Sequence, residues 1–283
     1  VHSRSTAMVL SHPYRPARLA AAGAEGAGAE VAGGAPDSPP VAQRRGDAMR
    51  PVAMELGVLA RPSGSARVRL GDTVVVCGVF GPSPLVAGGG TYSEKGQLTC
   101  DFHYAVPEPG AGVVAGPGAG SGDVRFGGQE SDHESSRMLK SAVEPALALE
   151  ALAKCSIRLH ILVTQADGGE LSAAVMAASL ALADAGVPMI GLVSACTVGL
   201  GREPAGDGAK IQLDPSRRQG VSCAARMTLA VCGPFHEGVT LWKQTGQLTA
   251  EEALALMKTC HDTTRLLRDV MERSIRATAT SSS

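Results

Sequence analysis

The chain has 283 residues, with 26 basic and 27 acidic side chains, a net charge of −1 and only 3% aromatic residues. A protein that grips RNA by itself usually carries a clear basic excess, because phosphate neutralisation supplies most of the affinity, and it needs aromatic platforms for stacking. Both are scarce here, and no run of about 18 apolar residues offers a membrane-spanning helix.

Residues 1–48 are built from Ala, Gly, Pro, Arg and Ser, with Leu10 and Leu19 their only leucines. Such a segment cannot bury enough apolar surface to offset its ordering entropy and reads as a disordered tail. It holds no acid before Glu25, which is vaguely transit-peptide-like. The chain opens at Val1, with Met49 and Met54 just ahead of the patterned region, which suggests a fragment or a non-native start. Residues 49–278 form the expected domain, and 279–283 a short C-terminal tail.

Val58 to Leu70 and Thr73 to Phe80 read as strands joined across Gly71-Asp72, a two-residue hairpin signal. Gly81-Pro82-Ser83-Pro84 is expected to end the pair. Leu98, Cys100, Phe102 and Tyr104 alternate with polar residues, giving a further half-buried strand. The Gly/Pro/Ala stretch Pro107 to Gly128 is long for a loop within a compact domain. A helix is expected over Ser131 to Lys154, kinked or split at Pro145.

Ser156 to Thr164 alternates Ile157, Leu159, Ile161 and Val163 with Arg158, His160 and Leu162, so one apolar row faces a core. After Gly168-Gly169, the Ala-rich run Leu171 to Ala185 predicts a helix that a sheet can approach closely. Gly186 is its left-handed cap and Pro188 its stop. Strands follow at Leu192 to Leu200, Lys210 to Leu213, Cys223 to Cys232 and Gly238 to Lys243. Thr249 with Glu252 forms a capping box for a last helix, whose stripe is Leu256, Cys260, Thr264, Leu267 and Met271. The 7 cysteines lack paired spacing and predict buried, reduced thiols. The fold class is α+β, mixed sheets packed with helices.

The motifs QADGG (165–169), ALADAGVPM (181–189), VSACTVGL (193–200) and IQLD (211–214), with LARPSGSARVRLGDTVVVCGVFGP (59–82), resemble the RNase PH family. The likeness is to the RNase PH-like ring subunits of the eukaryotic RNA exosome. Component six is nearest, and components four and five are close behind. The resemblance implies an RNase PH-like fold (ribosomal protein S5 domain 2-like). It also implies a six-membered ring of related subunits with S1/KH cap subunits, an associated exoribonuclease and RNA threading the channel. The implied location is nucleus, nucleolus and cytoplasm.

Active members of that family cleave the 3′ end of RNA with inorganic phosphate. They need a basic side chain for the phosphate and paired carboxylates for a metal or a proton. Aligned on Glu134, the family's Arg position falls on Ser131 and the next on Asp132. The family's second carboxylate, six residues after Asp214, falls on Gly220, which leaves Asp214 vestigial. The loop Pro107 to Gly128 holds a single basic residue, Arg125. These three losses predict a pseudo-enzyme with no cofactor and no bound metal, contacting RNA through Arg125, Arg137, Lys140, Arg217 and Arg218. Asp167 is expected to cap the following helix rather than to act as an acid. His103, His133 and His160 fall on different elements and predict no metal site. The alternatives are an active phosphate-dependent 3′–5′ exoribonuclease using Asp214 with Arg137 or Arg217, and a free-standing RNA-binding protein.

Overall fold

The structure, a computed structural model, describes residues 8–10, 48–84, 95–105, 129–202, 209–233 and 238–281. Two sheets form. The first contains β1 (Met8–Leu10), β2 (Val52–Leu56), β3 (Gly64–Leu70), β4 (Thr73–Pro84), β5 (Gln97–Tyr104) and β6 (Cys155–Gln165), in the order β1-β2-β3-β4-β6-β5. All pairs are antiparallel except β5 with β6. The second contains β7 (Leu192–Arg202), β8 (Ala209–Leu213), β9 (Cys223–Gly233) and β10 (Gly238–Gly246), antiparallel in the order β10-β9-β7-β8. The helices are α1 (Gln129–Val143), α2 (Glu170–Asp184), α3 (Arg217–Ser222) and α4 (Ala250–Ser281).

Small side chains let α2 lie between the two sheets, against β3, β4 and β6 on one side and β7 on the other. Every residue from Ser172 to Leu182 is buried. The approach is close enough that a side chain on Gly64 of β3 would meet the Ala181 carbonyl at 2.5 Å and the backbone of Ala185. From Val193 to Leu200 every position of β7 is also buried. A strand covered on both faces needs two layers over it, and α2 and α4 are the helices that supply them. The expected stripe of α4 is the one it buries, with Leu256, Cys260, Thr264 and Met271 all fully enclosed. Thr249 and Glu252 exchange the two bonds of the capping box. Gly186 takes φ +68 at the end of α2, where Val187 N–H donates to the Leu182 carbonyl.

Several boundaries differ from expectation. Residues 58–63 form a loop rather than a strand: Gly57 has φ +66, Pro62 lacks a donor, and the Ser65 hydroxyl accepts from Leu59 N–H at 2.8 Å. The first long strand is instead β2, whose Val52, Met54 and Leu56 alternate into the core. Strand β4 does not end at Phe80 but continues to Pro84 after a register shift. Pro145 stops α1 outright, and the chain goes on as two short 3-10 turns, Glu144–Ala146 and Leu149–Leu152. Of the N-terminal tail, residues 8–10 run alongside β2 and Ala48 is buried, while the remainder lies outside the described residues. Helix α4 continues to Ser281, into the segment expected as a C-terminal tail.

All 7 cysteines are free thiols. Burial pushes the Cys77 thiol far above its ordinary value and that of Cys100 up to about 12, so neither ionises near neutrality. Among the described residues, no helix is long and apolar enough to cross a membrane.

Candidate functional site

At the mouth of α2 the two sheets are tied together by one arginine. Arg50, just before β2, is 5% exposed and faces Asp214, 1% exposed, at the end of β8. Its Nε and Nη2 each donate to one Asp214 carboxylate oxygen at 2.6 Å. Nη2 also donates to the Gly168 carbonyl at 2.7 Å, and Nη1 to the Asp167 carbonyl at 2.9 Å and to Thr73 Oγ1 at 3.2 Å. The Thr73 hydroxyl in turn donates to Gly168 and accepts from Asp167 N–H. Burial pulls the guanidinium's proton affinity down, and the Asp214 carboxylate more than offsets this, so the Arg50 pKa is raised. A planar fork against a carboxylate is the geometry that makes such a buried pair tolerable.

The local sequence builds this clasp. Gly169 takes φ +71, and a Cβ there would sit 2.8 Å from Asp214 Oδ1, so only glycine fits the turn. Asp214 itself adopts φ +45, and its N–H donates to the Thr197 carbonyl. Ser216 and Gln219 then form a capping box that starts α3. Arg217 N–H donates to the Asp167 carbonyl at 2.9 Å, which brings the start of α3 onto the QADGG turn.

Asp214 is therefore a structural anchor. Both of its oxygens are engaged by Arg50. Asp167 is not the expected cap. The residue preceding α2 is Gly169, and no side chain caps the helix; Glu170 instead accepts from Gly168 N–H at 2.9 Å. The Asp167 carboxylate lies 3.6 Å from Arg50 Nη1 with its side chain 30% exposed. Burial raises its pKa, against the opposing pull of Arg50 and a backbone N–H of Arg217. Its carboxyl is partly open to solvent at this turn, as is that of Glu170.

The other predicted residues scatter. Arg217 is half-buried and Arg218 exposed on α3, beside the clasp. Arg137, exposed, and Lys140, half-buried, stand on α1, which packs against β5 and α2. Asp132 turns toward His103 on β5 at 3.6 Å, and His160 pairs with Asp101 at 3.3 Å. The loop Pro107 to Gly128 and Arg125 lie outside the described residues. Among the described residues, no group of His, Cys, Asp and Glu has a metal-holding arrangement.

Arg50 is not legible in the sequence because its partners stand 23 to 164 positions away. The Ser216-x-x-Gln219 cap is a local signal in the same segment as the Asp214 motif and the arginines 217 and 218.

Residues 48–188 match the family described as the 3′ exoribonuclease family, domain 1 (RNase PH). The exosome complex component Rrp41 of the archaeon Cenarchaeum symbiosum is 34% identical over 203 residues, 72% of this chain and 76% of that protein. The chain belongs to the RNase PH family. An exosome complex component RRP41-like of Arabidopsis thaliana is 30% identical over 234 residues, 82% of each chain. A crystal structure of rice Rrp46 superposes with a TM-score of 0.68 over 83% of this chain and 99% of its own, at 22% identity, which bears on the fold alone.

Membership corrects the pseudo-enzyme expectation. The family is one of 3′ exoribonucleases, and relatives at 30% identity and above include exosome components named Rrp41 and Rrp41-like.

Proposed function

We propose that this chain is an RNase PH-like subunit of an exosome-type complex, acting in 3′-to-5′ RNA processing and degradation. The observation that carries this is the match to exosome components over about three quarters or more of their length and of this chain's. In the reading we favour, it sits in a six-membered ring with other RNase PH-like subunits. S1/KH caps and an associated exoribonuclease complete the assembly, which works in nucleus, nucleolus and cytoplasm. Near-zero net charge fits a chain whose RNA contacts are shared with neighbours.

The chemistry of the assembly is phosphorolysis. An oxygen of inorganic phosphate attacks the terminal phosphodiester, the P–O3′ bond breaks, and a nucleoside diphosphate leaves as the 3′ oxygen takes up a proton. At the QADGG turn this chain sets a solvent-reached carboxyl, Asp167, near Arg217 and Arg218, groups suited to proton exchange and to phosphate. Affinity purification followed by a phosphate-dependence assay on 3′-labelled single-stranded RNA with magnesium tests the reading. Other RNase PH-like subunits should co-purify, and nucleoside diphosphates should form only with phosphate. Replacing Arg217 and Arg218 together by Ala should raise the KM for phosphate about tenfold. Purification without any such subunit, or product release indifferent to phosphate, would overturn it.

A further inference from the structure

A hydroxyl can donate one hydrogen bond and accept two. Thr73, the first residue of β4, is fully enclosed, and its hydroxyl uses all three. It accepts from Asp167 N–H at 3.1 Å and from Arg50 Nη1 at 3.2 Å, and it donates to the Gly168 carbonyl at 2.7 Å. One oxygen thus holds two successive residues of the QADGG turn and the arginine of the clasp. The strand register brings it there. Val74 stands opposite Gln165, the last residue of β6, so Thr73 meets the residues that follow β6. On its other side Thr73 pairs with Leu70 across the turn Gly71-Asp72. That turn is seated on the Arg50 stem, where a Cβ on Gly71 would lie 2.8 Å from Arg50 Cδ.

From the turn the constraint passes to α3. The Asp167 carbonyl accepts from Arg50 Nη1 and from Arg217 N–H, each at 2.9 Å, so both of its lone pairs are used. The Asp167 carboxylate stands 3.6 Å from Arg50 Nη1, too far for a hydrogen bond to fix it. Its place is set instead through the residue's backbone, whose N–H is held by Thr73 and whose carbonyl holds the start of α3. Arg217 and Arg218 are the first two residues of that helix. The Gly168-Gly169 pair gives the turn its shape but no stiffness of its own, so the stiffness comes from Thr73 and Arg50.

We infer that Thr73 is a positioning residue for phosphorolysis: its hydroxyl fixes the turn from which the Asp167 carboxyl and the arginines of α3 take their mutual placement. The inference rests on the reading above, in which Asp167, Arg217 and Arg218 serve proton exchange and phosphate. Thr73 is enclosed, so it acts through the turn and not on substrate. A hydroxyl that only held the fold would, when removed, lower the amount of working protein and scale every rate alike. One that sets the placement of phosphate-facing groups changes the KM for phosphate, because small displacements at such a site are costly.

The test uses the full chain in the assembly recovered by affinity purification, on 3′-labelled single-stranded RNA with magnesium and varied inorganic phosphate. Thr73→Val keeps the shape, removes the hydroxyl, and should raise the KM for phosphate about tenfold. Thr73→Ser keeps the oxygen and should stay within about twofold of the parent. Gly64→Ala is the control for lost stability, since it disturbs α2 at Ala181 and Ala185, the end away from the turn. Its KM for phosphate should be that of the parent. If Thr73→Val does not assemble, Thr73→Cys, which leaves only a weak donor and acceptor, decides by the same rise. A Thr73→Val chain whose KM moves no more than that of Gly64→Ala overturns the inference and leaves the phosphorolysis reading standing. An equal rise in Thr73→Ser overturns it too, because shape and not the hydroxyl would then matter. A parent assembly that releases no nucleoside diphosphate defeats both readings at once.

Discussion

Helix α2 and the turn that launches it are adjacent in the chain and held by opposite means. The helix is enclosed by alanines, Val175, Met176, Leu180 and Leu182, with Ser172 and Ser179 the only polar side chains in its buried run. The turn is held by a guanidinium, a carboxylate and two backbone carbonyls, with Arg50 and Asp214 themselves buried. Close packing of apolar groups yields many small contacts, each replaceable by a similar shape. A buried ion pair concentrates its effect in two residues, because removing either leaves the other charged and unsolvated.

That contrast predicts the largest effect in the molecule. Arg50→Ala or Asp214→Ala should each destabilise the domain by about 3–5 kcal/mol, read from urea unfolding. The melting temperature should fall by roughly 2–4 °C for each kcal/mol. Replacing both, as Arg50→Met with Asp214→Leu, should recover much of the loss, since no orphan charge remains. Single substitutions that cost under about 1 kcal/mol would show the clasp to be solvated and the contrast false.

A smaller effect belongs to the apolar side. At Gly64 an added methyl meets backbone atoms of Ala181 and Ala185, which no side-chain movement can clear. Gly64→Ala should therefore cost about 1–3 kcal/mol by overpacking, with α2 displaced from β3 in a crystal structure of the variant. A neutral result would mean that the helix shifts freely between the sheets.

The same division explains what could be read from the sequence. Ile157 through Val163, the alanines of α2, Gly186 and the Thr249 box are periodic or local signals, and each element lies within a few residues of its expected bounds. The clasp is neither periodic nor local. The IQLD motif makes Asp214 conspicuous, but its partner Arg50 belongs to no motif, and Gly169 rather than Asp167 precedes α2. Val52 to Leu56 alternates as well as any strand here, but it follows directly on a tail read as structureless. Leu162 stands among the polar alternates of its strand and is exposed with them.

The smallest predicted effect separates the two carboxylates of the clasp by pH. Asp167 has its pKa raised, chiefly by burial, although Arg50 lies close. The folded chain thus binds this proton more readily than the unfolded one. Its contribution to stability is present at acid pH and is lost as pH rises from the ordinary value of 3.8 through the raised one. With the side chain 30% exposed the slope should be shallow. In Asp167→Asn that slope vanishes, so the variant should gain on the parent as pH climbs through this range, seen as a growing difference in urea midpoints. The opposite trend, with the parent gaining, would mean that attraction to Arg50 outweighs desolvation at Asp167. The clasp would then hold two working carboxylates rather than one anchor and one solvent-facing acid.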